Sequence, residues 1–218
     1  MVSTLKVTKI QIPNSDSDVI SLDASSGNIT VPKPISFNGT VTGTAMVKLL
    51  GDSWSSPVGQ YDITSSTLTS TYDNYLVVWR ITPSGDNITL YGRFSTDGGS
   101  SFISSSSYYA HEFTNTGNSV SLGSNGTTQM VLSYSGNGNS TGEFLTGQFY
   151  LRDIHNTLYS TTIFGSLNYY NTSGNHGGGM YSGGQTVANR TDTINGFRFV
   201  SSSGNLENGE ITVYGLTR

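Results

Sequence analysis

The sequence predicts an all-β protein: an antiparallel β-sandwich, jelly-roll-like, carried on a short extended N-terminal stem and assembling as a homotrimer. Three observations lead there. No window long enough for a helix shows a 3.6-residue apolar period, whereas two-residue alternation recurs along most of the chain. The residues that favour strands (Thr, Val, Ile, Tyr, Phe) are interleaved with Gly, Asn, Asp and Ser, which favour turns. Finally, the first 44 residues hold apolar clusters too small to make a core of their own.

The stem is taken as residues 1–44 and the sandwich as residues 45–218. In the stem, Val7, Ile10 and Ile12, then Val19, Ile20 and Leu22, then Ile29 and Val31, then Ile35, Phe37 and Val41 form short clusters. Pro13, Gly27, Pro32, Pro34, Gly39 and Gly43 interrupt them. Ordering a residue costs about 1–2 kcal/mol, more than such clusters recover within one chain. Three copies wound together would turn each cluster toward a common axis, so the segment reads as an assembly stem or a docking anchor. A plain disordered leader would not repeat its apolar clusters so regularly.

The sandwich begins near Met46-Val47-Lys48-Leu49-Leu50. YLVVWRI, from Tyr75 to Ile81, is nearly continuous and reads as a strand covered on both faces. In NITLYGRFS, Ile88, Leu90 and Phe94 share one face, with Thr89, Tyr91 and Arg93 opposite. EFLTGQFYL sets Leu145, Phe149 and Leu151 against Phe144, Thr146 and Tyr150. TINGFRFVS alternates Ile194, Phe197 and Phe199 with Arg198, and EITVYGL alternates Ile211 and Val213 with Thr212 and Tyr214. Pro83-Ser84-Gly85-Asp86, Thr96-Asp97-Gly98-Gly99, Asn115-Thr116-Gly117-Asn118, Gly136-Asn137-Gly138-Asn139 and Gly204-Asn205 supply the turns between strands.

Composition narrows the function. Charged residues are only 11% of the 218, yet 13 Tyr, 9 Phe and 2 Trp provide ample core material. The net charge of −4 and the lack of any Lys/Arg run argue against phosphate neutralisation, so no nucleic-acid partner is expected. No apolar run reaches transmembrane length, so no membrane insertion is expected either. With no cysteine, disulfides, thiolate zinc sites and thiol nucleophiles are excluded together. Met1-Val2-Ser3-Thr4-Leu5-Lys6 lacks the apolar core of a signal peptide.

The two ends carry a family resemblance. STLKVTKIQIP…VISLDASSGNITV is similar to the N-terminal segment common in virion proteins of tailed bacteriophages, especially marine and cyanobacterial ones. YDNYLVVW, LYGRFSTDGGSSF and INGFRFVSSSGNLENGEITVYGL resemble a C-terminal domain recurrent in phage tail fibres and related particle proteins. The hallmarks are Tyr72-Asp73-Asn74-Tyr75 leading into a buried strand, the Asp97-Gly98-Gly99 turn, and the closing Gly209-Glu210-Ile211-Thr212-Val213-Tyr214-Gly215-Leu216. The resemblance covers about 190 residues, and its motifs are structural ones that speak to fold rather than chemistry. It implies a viral structural protein located in the virion and made in the host bacterial cytoplasm. It also implies a homotrimer held to capsid or tail proteins through the stem, with no enzymatic role. The chain is short and has no long shaft. The expectation is therefore a short fibre or knob that contacts the host surface, receptor binding included. The alternative is a capsid fibre, that is, a head fibre or decoration protein without a receptor role. A polysaccharide-degrading tailspike is disfavoured, because such spikes need a long β-helix.

Candidate chemistry follows the same line. His111, His155 and His176 share no metal-ligand spacing, so neither a metal nor a cofactor is expected. Asp97 or Asp73 with Glu112, or Glu143 with Asp153, are the carboxylate pairs that could hydrolyse a polysaccharide. Most acids here, however, sit in turn contexts where Asp caps its own turn. Asp97-Gly98-Gly99-Ser100 lacks the further acids a calcium loop needs.

A glycan site is the stronger expectation. In LNYYNTSGNHGGGMYSGGQT, glycines space Tyr169, Tyr170, His176 and Tyr181, as in adaptable loops where aromatic rings and exposed amides hold a ligand. The competing reading packs those rings on a sheet, with the glycines allowing close chain approach. Tyr108-Tyr109 and Trp54 rank second, since a tandem aromatic pair in a strand places one ring inside.

Overall fold

The computed structural model describes residues 9–11, 18–22, 29–30, 46–105, 107–116, 119–133, 137–185 and 192–216, and among these residues there is no helix. The chain divides into two compact units, Met1–Gly43 and Thr44–Arg218. In the first, β1 (Lys9–Gln11), β2 (Asp18–Leu22) and β3 (Ile29–Thr30) form a three-stranded antiparallel meander. Strands of two to five residues are below the size at which a sheet stands alone. The expected clusters at Val7, Ile12, Val31, Ile35, Phe37 and Val41, with Pro13, Gly27, Pro32, Pro34, Gly39 and Gly43, lie outside the described residues.

The second unit is an antiparallel sandwich. Its larger sheet contains β4 (Met46–Trp54), β6 (Asn74–Pro83), β8 (Tyr108–Thr116), β9 (Ser119–Thr127), β11 (Leu145–Arg152), β12 (Thr162–Tyr170), β13 (His176–Gln185) and β15 (Leu206–Leu216). The smaller contains β5 (Gln60–Ile63), β7 (Leu90–Ser95), β10 (Met130–Val131) and β14 (Gly196–Ser201). The orders are β4-β15-β6-β11-β12-β13-β8-β9 and β10-β7-β14-β5. Set aside the hairpins β8–β9 and β12–β13, and the chain alternates between sheets at every step except β7 to β10, which are neighbours in the smaller sheet. The remaining β4-β15-β6-β11 faces β5-β14-β7-β10, which is jelly-roll order. The two hairpins add four strands to one side of the larger sheet.

Alternation explains which residues meet between the sheets. Ile211 and Val213 of β15, Leu145, Phe149 and Leu151 of β11, and Phe197 and Phe199 of β14 are all buried. Phe149 sits at the centre, 4.9 Å from Phe197 and 6.0 Å from Phe199 between ring centroids, while Trp79 approaches Phe199 at 6.0 Å. Burying each such ring stabilises the fold by about 1.5–3 kcal/mol.

The expectation for Tyr75–Ile81 requires correction. Tyr75, Val77, Trp79 and Ile81 point inward and are buried, but Val78 is 38% exposed and Arg80 is exposed. A second sheet covers β6 on one face, and among the described residues no layer covers the other.

The connections gather at two opposite ends. At one end, Ile154 N donates to Asp73 O, Ile194 N to Ile154 O, and Asn195 N to Ser95 O. Met46 pairs with Leu216 at this same end, so the chain enters and leaves the sandwich side by side. At the other end, Val58 pairs with Leu206, Ser84 N donates to Asn205 O, and Asn87 N to Asn137 O. In the Asp97-Gly98-Gly99 turn the two glycines have φ of 78° and 97°, a left-handed conformation that glycine adopts without steric cost.

Candidate functional site

The turn that joins β12 to β13 lies at the end remote from Met46. β12 alternates strictly, with Ile163, Leu167 and Tyr169 inward and Phe164, Asn168 and Tyr170 outward. Tyr170 and His176 are the last cross-strand pair before the turn. Between them, N-T-S-G-N closes on itself. The Oδ1 of Asn171 accepts from Ser173 N at 3.0 Å and Asn175 N at 2.8 Å, and Gly174 N donates to Asn171 O at 2.9 Å. Gly174 takes the left-handed φ of 74° that this turn needs.

The tip carries three aromatic rings. Tyr170 stands edge-on to His176 at 5.4 Å, and Phe144 lies 6.3 Å from Tyr170 on its other side. The backbone fixes this strip, because Tyr170 N donates to Phe144 O and Gly138 N to Tyr170 O. Tyr170 is 38% exposed, His176 is exposed and Phe144 is half-buried. The exposed Tyr170 and His176 rings, with the exposed Ser173 and Asn175 beside them, put aromatic surface next to hydrogen-bonding groups, the pair of features that a sugar ring requires.

The four residues expected to form one loop surface therefore separate. Tyr170 and His176 come together at the tip. Tyr169 and Tyr181 are buried, 3% and 2% exposed, and face the core. The Tyr181 hydroxyl donates to Gln148 O at 3.3 Å and accepts from Trp79 Nε1 at 3.4 Å, and burial drives its phenol pKa up. The loop expectation is corrected as well. The glycine-rich segment is strand β13, paired with β12 on one side and β8 on the other, so ladder bonds engage its backbone.

Its glycines serve the packing. A Cβ on Gly177 would lie 2.6 Å from Cζ of Tyr169, its direct cross-strand partner. The same seat recurs where Trp79 covers Gly147 and Trp54 covers Gly209, each pair again directly opposed. Large inward rings occupy the space that a neighbouring side chain would fill.

The other candidates are dispersed. Asp97 caps its own turn, accepting from Ser101 Oγ at 2.6 Å, Ser101 N at 2.8 Å and Ser95 Oγ at 2.7 Å. Those bonds from Ser101 and then Ser95 hold its carboxyl down at about 2. Glu143 precedes β11 and Asp153 follows it, so eight strand residues stand between them, roughly 27 Å at ~3.4 Å each. They do not form a catalytic pair. Asp73 lies at the Met46 end, and the side chains of Glu112 and His111 lie outside the described residues. The Nε2 of His155 contacts Thr69 O at 2.8 Å, at the end of the sandwich opposite His176. Of the second-rank aromatics, Tyr108 is buried and Tyr109 exposed, while Trp54 stacks on Tyr61 at 4.8 Å.

Phe144 and Asn171 complete the tip without having been singled out in the sequence. The sign of Asn171 was present: an Asn followed by small polar residues and Gly is a self-capping turn. No family model matches the chain, and no curated protein or solved structure does so either.

Proposed function

We propose that this chain is a non-enzymatic structural protein of a tailed-bacteriophage particle, a short homotrimeric fibre or knob that presents its sandwich to a host-surface glycan. The observation that carries the reading is the polarity of the sandwich. The chain enters at Met46 beside Leu216, and the exposed Tyr170–His176 strip lies at the opposite end of the same sheet. β6, with 10 residues, spans that distance, roughly 30 Å at ~3.4 Å per residue. A domain held at its entry end thus leaves the aromatic tip at the other end of its sheet free to meet a host. Residues 1–44 are the holder in this reading, through trimer formation and docking on capsid or tail proteins. The similarity of both ends of the sequence to phage particle proteins supports the virion assignment, and the β-sandwich is the fold which that similarity leads one to expect.

The test is adsorption. Labelled full-length chain is applied to cells of a bacterial strain that it coats, beside the Tyr170→Ala/His176→Ala variant. Both side chains are exposed, so the variant's unfolding should move by no more than about 0.5 kcal/mol. The reading expects cell binding to fall at least about tenfold with folding intact, the loss of a stacking contact worth ~1.4 kcal/mol. Undiminished binding by the folded variant removes the tip as a receptor surface and favours a decoration protein whose role is architectural.

A further inference from the structure

The face of the larger sheet turned away from the smaller one holds a trough among the described residues. Two depressions adjoin on it. One, of about 410 Å³, is bounded by Lys48, Asp52, Glu210 and Thr212, and the other, of about 240 Å³, by Gln148, Ser166 and Asn168. They share Val78 and Thr146, so together they cross β4, β15, β6, β11 and β12. Four interstrand spacings of ~4.8 Å make a groove roughly 19 Å long, at right angles to the strands.

Cross-strand register explains its shape. One row of directly opposed outward residues runs Tyr214, Leu76, Tyr150, Phe164, and it is bulky. The next runs Thr212, Val78, Gln148, Ser166, and the third runs Glu210, Arg80, Thr146, Asn168. The second row has the shorter side chains, with the Tyr150 and Phe164 rings of the first row on one side of it and Arg80 and Glu210 of the third on the other. Tyr150 is 41% and Phe164 51% exposed, so both rings are open to a ligand lying along the groove.

We infer that this trough is a second binding site, one cross-strand row inward from the tip on the same face of the sheet, for an uncharged or weakly acidic oligosaccharide. The backbones of β15, β6, β11 and β12 are paired on both sides, so across these four strands the groove has no edge to which a peptide strand could add. Recognition falls to side chains. Gln148, Asn168, Ser166 and Thr212 present amides and hydroxyls, and these four side chains make no hydrogen bond to other described residues. Arg80 and Glu210 are paired at 3.3 Å and Lys48 adds a single positive charge at the rim, while the Asp52 carboxylate is turned to the Tyr61 hydroxyl of the smaller sheet, so the groove lacks the run of cations that a nucleic acid needs. Amides and hydroxyls beside aromatic rings fit a molecule that has hydroxyls along its rim and C–H groups on its faces.

Full-length chain on an array of bacterial surface oligosaccharides tests the inference, with binding and oligomeric state measured for each variant. Gln148→Ala/Asn168→Ala removes the hydrogen-bonding groups from exposed positions, and Ser166→Trp fills the groove floor. The expected result is that wild type retains a set of oligosaccharides and that the double variant weakens them about tenfold or more. Ser166→Trp should abolish that binding, while Tyr170→Ala, which alters only the tip, preserves it. The inference is overturned if wild type retains no oligosaccharide, or if both groove variants bind as wild type does. It is equally overturned if Tyr170→Ala alone removes the binding, because the tip then accounts for it. A change of oligomeric state in Ser166→Trp with saccharide binding intact would instead make this face an interface between copies of the chain.

Discussion

Tyr108 shows how single side chains hold the two sheets together. Its hydroxyl accepts from Phe94 N at 2.8 Å and donates to Ile103 O at 2.9 Å, within a buried site. Tyr108→Phe leaves the Phe94 amide without that partner and should cost about 1–3 kcal/mol. Thermal unfolding checks this, at roughly 2–4 °C per kcal/mol for a domain of this size. An unchanged Tm would mean that the hydroxyl bridge contributes nothing. The same phenol sets a pH limit. Burial raises its pKa from 10.0 to about 12, and burial also raises Tyr181 and Tyr61. The folded state therefore holds these protons more tightly than the unfolded chain. Their contribution is complete below pH 10 and falls as pH rises from 10 toward 12. Denaturant titrations at stepped pH should show stability declining through that window, and a flat profile would contradict it. At this scale the sequence was half legible. Tyr169 and Tyr170 are neighbours of identical chemistry, and only strand parity sends one inward and the other to the tip. Tyr181 was hidden because glycines flank it, which erases the apolar alternation that marks a core strand.

Those glycines belong to the scale of the element. In β13 and its neighbours, an inward glycine faces a large ring on the next strand, so the apolar pattern is split between two strands and is invisible in either alone. Gly177→Ala sets a methyl against the Tyr169 ring at 2.6–2.9 Å, and Gly209→Ala against Trp54 at 2.5 Å. Each should destabilise by about 1–3 kcal/mol, the cost of overpacking a filled core. Gly59→Ala meets nothing within 4 Å and should stay within about 0.5 kcal/mol. Urea midpoints for the three variants test the contrast, and equal midpoints would contradict the seat argument. Strands with an unbroken alternation, such as β7, β11, β14 and β15, were read correctly down to their inward faces. β6 was not, because its outward Leu76 and Val78 are as apolar as its inward residues. Composition alone does not show which face of β6 the second sheet covers.

For the molecule as a whole, the all-β class and the jelly-roll-like sandwich were legible, whereas the four strands added to one side of the larger sheet were not. Alternation tells which way a side chain points, not which strand lies beside it, so the turn at residues 115–118 was legible while the places of the two hairpins in the larger sheet were not. The sandwich unit has a continuous core of its own, formed by both sheets. A chain beginning at Thr44 should therefore unfold cooperatively, as followed by denaturant titration, and a broad non-cooperative transition would show that the first 43 residues complete the fold. The proposed trimer assigns assembly to those 43 residues, whose described strands are only two to five residues long. Native mass spectrometry of the full chain beside residues 44–218 tests that claim most directly. The account predicts a trimer for the full chain and a folded monomer for the shorter one. A full chain that remains monomeric would contradict it.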